Sequence, residues 1–254
     1  QAVQTRRYAD PQAATDLGRL DAEAVEQVRA EAWPRARNAD EMHEALTGLG
    51  VVSATEVART PAWEPLLQQL ARDGRATRTT VAGRQWWVAA ERLPQWLALH
   101  PSALQQPGIA VPTEFAQVEW SAGDAAVALL RARLTGLGPA TAAALADGLA
   151  LAPLDADMAL LRLQSQGYAM QGRFTPGTSA SGASTRGAAA DEWCERHLLA
   201  RIHRYTLKRL RREIEPAAPR DFMRFLFDWQ RVAKAAQVSG PEALAGVLAQ
   251  LEGY

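Results

Sequence analysis

The sequence contains little cysteine, little lysine and no long apolar run. Cys194 is the only cysteine among the 254 residues, which excludes a disulfide framework and a cysteine-based zinc site. The apolar stretches are short and rich in alanine, so no segment predicts a membrane-spanning helix. The N-terminus lacks both an apolar signal core and an initiator methionine. We therefore expect a cytoplasmic protein from a reducing compartment, and a part of a longer chain.

The sequence also lacks net charge. Its 28 basic and 28 acidic residues cancel, which excludes a uniformly basic, histone-like protein. Any nucleic-acid surface must then come from local charge asymmetry. With 48% apolar and 22% charged residues, the composition is that of a globular protein, and the length allows more than one small domain.

Sequence motifs of catalysis are missing as well. The run Gly136–Pro139 lacks the Gly-Lys-Ser/Thr ending of a phosphate-binding loop, and there is no Gly-x-Ser-x-Gly elbow. We therefore predict no catalytic residue, no metal site and no cofactor in this chain. The four histidines do not have metal-ligand spacing: His43, His100, His197 and His203.

The first 120 residues predict a helical lead-in followed by a winged helix-turn-helix. Over residues 1–37, Asp21 can cap a helix that places Val25 and Val28 on one face. Over 38–120, a helix capped by Asn38 or Asp40 and a second helix near Pro61 precede a two-stranded ribbon. The ribbon strands are Arg75–Thr80 and Gln85–Val88, and a proline-rich connector follows at 101–117.

Residues 121–190 predict a second module with the same outline. Three helices, the third over Asp155–Gln166 with Met158, Leu161 and Leu163 as its apolar positions, precede a compact hairpin over Gly167–Phe174. A mobile loop rich in serine, glycine and alanine is expected at 175–190. Residues 191–254 predict a strong helix over Asp191–Ile214 and two further helices, which we interpret as an incomplete third module. The predicted fold class is mainly α (α+β), with tandem winged-helix modules and short two-stranded wings.

The densest charge feature lies between Arg196 and Arg212. Seven of the 28 basic residues fall within these 17 positions, and guanidinium groups on a solvated face bind phosphates well. An alternative is a structural helix, with acidic residues at its N-terminus and basic residues at its C-terminus, as the helix dipole favours. The candidate phosphate-binding residues of this run are Arg201, Arg204, Lys208, Arg209, Arg211 and Arg212.

The first wing offers a second candidate surface. Arg75, Arg78 and Arg84 lie on or beside it, and an exposed Trp86 or Trp87 could stack on a base. The alternative is that the tryptophans pack in the core. The third helix of each module, by contrast, carries few basic residues at its N-terminus, so base reading in the major groove is not expected.

Several runs of sequence have the order and composition of one known family: Asp10–Asp21, Glu31–Pro34, Gly172–Phe174, Trp193–Leu207, Arg209–Pro216 and Asp221–Leu226. On these runs the chain resembles the Lhr family of long bacterial helicases. The match covers essentially the whole chain and falls just after the helicase core, at the start of the C-terminal domain.

The resemblance implies a parent protein that moves 3′ to 5′ along single-stranded DNA with ATP and Mg²⁺. It also implies that the parent unwinds DNA or RNA:DNA duplexes in DNA repair and forms a homotetramer. The motor motifs are absent from this sequence, so ATP and magnesium are expected in the parent's helicase core. We therefore predict an accessory segment that binds nucleic acid and helps oligomerisation, without membrane contact.

The same C-terminal region is similar to a winged-helix family of DNA glycosylases that carries a Gln-x-Gln or Gln-x-Asp motif. This chain offers Gln164-Ser165-Gln166 and Gln68-Gln69, which we interpret as accidental because both lie on amphipathic helices. The alternative function is part of a base-excision domain.

Overall fold

The computed structural model describes residues 20–175, 191–213, 217–237 and 239–251. The chain forms two compact units, Gln1–Leu207 and Lys208–Tyr254. The described part of the first unit begins with capped helices. Asp21 accepts hydrogen bonds from the backbone N–H groups of Glu23 and Ala24, and Asn38 accepts one from Glu41, so both predicted helix starts are confirmed. The elements up to residue 99 are α1 Ala22–Ala32, α2 Ala39–Leu49, β1 Val51–Ser53, α3 Ala54–Arg59, α4 Trp63–Arg72, β2 Ala76–Val81, β3 Arg84–Ala89 and α5 Leu93–Leu99.

The predicted first ribbon is present as the antiparallel pair β2 and β3. It turns at Ala82 and Gly83, whose φ angles of 48° and 77° are positive, as a tight hairpin requires. Two short strands that the pattern did not predict flank it, so the sheet has the order β1-β3-β2-β4, with β4 at Leu104–Gln106. Three residues are too few to show a period of two, which is why these edge strands were missed.

The second half of the first unit, from Thr113 onwards, repeats the order of the first half, with helices followed by a ribbon. Its sheet has the order β5-β7-β6 and is antiparallel throughout. The predicted class, mainly α with short antiparallel ribbons, is confirmed. The elements are α6 Thr113–Ala116, α7 Ala122–Leu137, β5 Ala140–Thr141, α8 Ala142–Gly148, α9 Pro153–Ser165, β6 Ala169–Gly172, β7 Glu192–Glu195 and α10 Arg196–Glu213, of which the residues from Lys208 onwards belong to the second unit.

Two predictions about the second ribbon are wrong. The strand that pairs with β6 is β7, not Arg173–Phe174, and the helix predicted from Asp191 begins only at Arg196. The carboxylate of Glu192 is buried and accepts hydrogen bonds from the backbone N–H groups of Phe174 and Thr175 at 2.9 and 2.7 Å. Pairing with β5 on one side and β6 on the other holds Glu192–Glu195 as a strand. Apart from Thr175, the predicted loop 175–190 lies outside the described residues.

The apolar positions of α9 are buried only in part. Leu163 is buried, but Met158 and Leu161 are 64% and 51% exposed. The buried face contains Ala156 and Leu160 instead. A periodicity count favours large apolar residues, whereas this helix packs through an alanine that allows close approach of its neighbours.

Both halves of the first unit contribute to one buried cluster. Trp86 and Trp96 from the first half pack with Leu130, Leu160 and Trp193 from the second. Trp86 also donates a hydrogen bond from Nε1 to the backbone oxygen of Gly148 at 2.9 Å. The two predicted modules therefore share a core.

The second unit contains α11 Pro219–Trp229, a 3₁₀ turn Lys234–Ala236 and α12 Pro241–Leu251. Four aromatic side chains of α11 are about half exposed: Phe222 at 52%, Phe225 at 55%, Phe227 at 46% and Trp229 at 49%. Phe222, Phe225 and Trp229, which are spaced by three and four residues, lie on the same helix face. Across the described ranges of the whole chain, we find no helix with the length and apolar character needed to cross a membrane.

Candidate nucleic-acid interface

Helix α10 is held in place by its apolar side. Leu198 and Ile202 pack with Val25 and Val28 of α1 and with Cys194 at the end of β7. Burial, with a smaller contribution from the charge of Glu195, raises the pKa of the Cys194 thiol to about 12. The thiol therefore stays protonated at neutral pH and acts as a small apolar group.

Arg201 is also on the side of α10 that faces α1. Its Nε atom lies 3.7 Å from a carboxylate oxygen of Glu31, which also accepts a hydrogen bond from the Tyr205 hydroxyl at 3.0 Å. A hydrogen bond from Gln27, followed by that from Tyr205, lowers the pKa of Glu31. Arg201 thus anchors α10 to α1. Phosphate binding by Arg201 remains a prediction.

The solvent-exposed side of α10 is basic. Between Arg196 and Arg212 the sequence has no acidic residue, so no carboxylate on this stretch neutralises the charges. Arg209 is half-buried. The exposed basic side chains are Arg196 and Arg204 in the first unit, and Lys208, Arg211 and Arg212 in the second.

Two arginines of the first wing form ion pairs with carboxylates of the same chain. Arg84 binds Asp147 through both terminal nitrogens, at 2.7 and 3.1 Å, and Arg75 binds Asp40 at 2.6 Å. A phosphate would have to compete with these carboxylates. Phosphate binding at the wing remains a prediction with less support than binding at α10.

The tryptophans of the first wing are core residues. Trp86 is fully buried and Trp87 is 4% exposed, so the core alternative is confirmed and base stacking by either ring is excluded. The guanidinium carbons of Arg84 and Arg78 lie 5.0 and 5.6 Å from the ring centres of Trp86 and Trp87. Each arginine therefore covers a tryptophan.

The third helix of the second module does not have the surface of a DNA-reading helix. The exposed residues at the start of α9 include Leu154, which is 72% exposed, together with Asp155 and Asp157. Carboxylates facing phosphates would be repulsive. That α9 does not read bases stays a prediction.

A cleft that the sequence did not reveal lies between the two halves of the first unit. Its volume is about 610 Å³, and α7 and the end of α9 form much of its lining. No sequence pattern indicated the cleft, because its basic residues come from three distant segments. Its charged and aromatic lining residues are Arg92, Glu119, Trp120, Asp124, Arg131, Arg162 and Tyr168.

Metal chemistry has no support in the described ranges. Within them, no three histidine, cysteine, aspartate or glutamate side chains come together in a geometry that could hold a metal ion. Two of the described histidines form hydrogen bonds within the fold: His43 binds Glu91 at 3.1 Å, and His100 binds the backbone oxygen of Leu149 at 2.9 Å.

Comparison with known proteins agrees with the sequence motifs. The chain is 28% identical over 227 residues to a protein of Mycolicibacterium smegmatis named Lhr helicase/probable uracil glycosylase. This chain is similar to an Lhr protein. The match covers 86% of this chain but only 14% of the relative, so the relative's whole activity does not transfer by similarity alone. No protein-family model matches the chain.

Proposed function

We propose that this chain is an accessory nucleic-acid-binding segment of an Lhr-type helicase that acts in DNA repair. One observation carries the proposal: α10 exposes five basic side chains along a stretch without any acidic residue, in a chain of zero net charge. The helices followed by antiparallel ribbons support an interpretation as tandem winged-helix modules. ATP and Mg²⁺ would act in the helicase core of the larger protein.

The chemistry of α10 favours the nucleic-acid backbone over the bases. Arginine and lysine pair with phosphates and release condensed counterions, which gives sequence-independent and salt-dependent binding. Single-stranded DNA or an RNA:DNA hybrid would therefore be held without base recognition. This is the contact that an accessory segment of a translocating protein needs, since it must move over any sequence.

Neutralising the exposed side of α10 is expected to weaken binding to single-stranded DNA by at least about tenfold at low salt. Each lost phosphate contact on a single strand lowers the slope of log K against log salt by about 0.7, so four lost contacts lower it by about 2.8. The measurement is fluorescence anisotropy with a labelled oligothymidylate over a range of salt concentrations. The variant replaces four residues by glutamine: Arg204, Lys208, Arg211 and Arg212.

A matched control removes the same charge from exposed arginines elsewhere, at Arg35, Arg37, Arg59 and Arg72. For this control, the slope of log K against log salt should differ from that of the unaltered chain by no more than about 0.7, the contribution of one phosphate contact. Equal losses in both variants would show that net charge matters and the α10 surface does not. No binding by the unaltered chain at low salt would remove the proposal.

The same proposal includes self-association, the other part of the accessory role. The support is the exposed aromatic face of α11, because soluble monomers rarely expose such a surface. Replacing Phe222 and Phe225 by glutamate should shift the species seen by light scattering towards the monomer. The control changes the exposed Leu154 in the first unit to glutamate and should leave the mass unchanged. A monomeric unaltered chain at high concentration would contradict self-association.

A further inference from the structure

The cleft between the two halves of the first unit has more positive charge than its carboxylates neutralise. Arg162 binds Asp124 at 2.6 Å, and Asp124 also accepts a hydrogen bond from Ser121. The bond from Ser121, followed by that from Arg162, lowers the pKa of Asp124. The charges of Arg162 and Asp124 therefore neutralise each other. Glu119 is the remaining acidic residue of the lining.

Arg92 faces the cleft without a carboxylate at ion-pair distance in the described part of the chain. Its Nε atom donates to the backbone oxygen of Thr47 at 3.0 Å, and its two terminal nitrogens form no hydrogen bond with described residues. Burial lowers the pKa of Arg92, and the neighbouring Glu91, which binds His43, only partly opposes this. A guanidinium remains charged at neutral pH, so a half-buried one is stabilised by an anion.

Arg131 is the second cation of the cleft without a carboxylate partner among the described residues. Its guanidinium carbon lies 4.6 Å from the ring centre of Tyr168, and it donates a hydrogen bond to the side-chain oxygen of Gln166. The Tyr168 hydroxyl in turn donates to the backbone oxygen of Arg131 at 3.1 Å. These contacts hold the guanidinium plane in a fixed orientation, which reduces the entropy lost when it binds a phosphate.

Trp120 adds a stacking surface. Its indole is half-buried and lines the same cleft as the two unpaired arginines. Cations next to an aromatic side chain, in an open groove, are the elements that hold single-stranded nucleic acids: the cations bind phosphates and the ring stacks on a base. A free inorganic anion would use the arginines but not the indole.

We propose that this cleft is a second nucleic-acid site, in which Arg92 and Arg131 bind phosphates of a single strand and Trp120 stacks on one of its bases. The site rests on the proposed function, because it supposes that the chain contacts nucleic acid. It adds what α10 does not provide, a contact with an unpaired base. The cleft therefore selects single strands over duplexes, whose bases are already stacked on each other.

The test measures the binding of a labelled oligothymidylate to Arg131→Gln, to Arg92→Gln with Arg131→Gln, and to Trp120→Ala. The double variant should lower the salt slope by about 1.4, since two phosphate contacts are lost. Trp120→Ala should weaken binding at least about fivefold with an unchanged slope, because stacking releases no counterions. On an abasic strand of the same length, Trp120→Ala should have no effect.

Controls separate this site from α10 and from other ligands. Arg173→Gln removes an exposed charge that lies 3.6 Å from Asp191, outside the cleft, and should leave binding unchanged. Far-ultraviolet circular dichroism checks the fold of each variant, and Arg131→Gln alone removes an exposed side chain. Excess dTMP or inorganic phosphate should not displace the strand at micromolar concentration.

The outcomes also distinguish the cleft from the proposed function. Binding by the Arg131→Gln and Trp120→Ala variants that equals the unaltered chain, while the α10 variant loses affinity, would overturn the cleft and leave the proposed function intact. If neither the cleft variants nor the α10 variant loses affinity, both proposed binding surfaces are contradicted. Displacement by micromolar dTMP would show that the cleft binds a free nucleotide and would overturn the strand site.

Discussion

Replacement of Arg133 by alanine is expected to lower the free energy of unfolding by about 3–5 kcal/mol, the cost of breaking a buried ion pair from one side. Arg133 lies on α7 and is 3% exposed. It donates hydrogen bonds to the backbone oxygen of Val51 at 3.0 Å and to the carboxylate of Glu56. Without it, the carboxylate of Glu56 has lost its cation, and the Val51 oxygen has lost a donor.

The position of Glu56 makes the effect larger than that of an isolated pair. Ser53 and Glu56 form the capping box of α3, in which each side chain binds the other's backbone N–H. Arg133 therefore connects α7 to the start of α3 and to β1. A double variant, Arg133→Met with Glu56→Gln, removes both charges and keeps a side chain that can cap, so it should recover part of the lost stability.

Equilibrium unfolding in urea, followed by circular dichroism, measures this difference. The matched control is Arg162→Ala, which breaks an arginine–aspartate pair whose side chains are 52% and 49% exposed. It should cost no more than about 1 kcal/mol, because solvent screens an exposed pair. If both variants lose the same small amount, the buried pair does not stabilise the junction.

Replacement of Trp86 by alanine is expected to cost about 3–5 kcal/mol, the range for truncating a buried large aromatic residue. Trp86 is fully buried on β3, its ring centre lies 5.4 Å from that of Trp96, and it donates to the backbone oxygen of Gly148. The truncation leaves a cavity in the core shared by both halves of the first unit. It also leaves the Gly148 oxygen without this donor.

Thermal unfolding of two variants separates the cost of the cavity from the cost of the lost hydrogen bond. Trp86→Ala should lower the midpoint by about 6–20 °C, at about 2–4 °C per kcal/mol for a chain of this size. Trp86→Phe keeps most of the ring but removes the donor, so it should lose about 1–3 kcal/mol. Trp120→Ala, which truncates a half-buried tryptophan, is the control and should lose less than Trp86→Ala. A loss below about 1 kcal/mol for Trp86→Ala would contradict its role as the link between the halves.

Local features of the sequence predicted much of the secondary structure. The caps at Asp21 and Asn38 and the turn at Gly83 depend on contacts within a few residues. Such contacts leave a pattern that can be recognised without knowing the rest of the fold. The short helix α3 was missed although its signal, Ser53 followed three residues later by Glu56, is present in the sequence.

The candidate sites were predictable only in part. The basic run from Arg196 to Arg212 is continuous in sequence, so its charge was visible. Which of its members face solvent was not, since the packing of α10 on α1 turns Arg201 towards Glu31. The cleft was not visible at all, because Arg92 and Arg131 come from different segments and acquire a common surface only through folding.

By itself, the sequence determined the mainly helical class, the helix starts at Asp21 and Asn38, the first ribbon and the concentration of basic residues on one helix. These properties follow from short-range periodicity, capping and composition. Only the tertiary structure decided that Trp86 lies in a core and that Arg133 reaches Val51, 82 positions away. The same holds for β7, which pairs with β6 although residues 173–191 separate the two strands in the sequence. Burial and long-range hydrogen bonding depend on which elements pack together, and no local pattern records that choice.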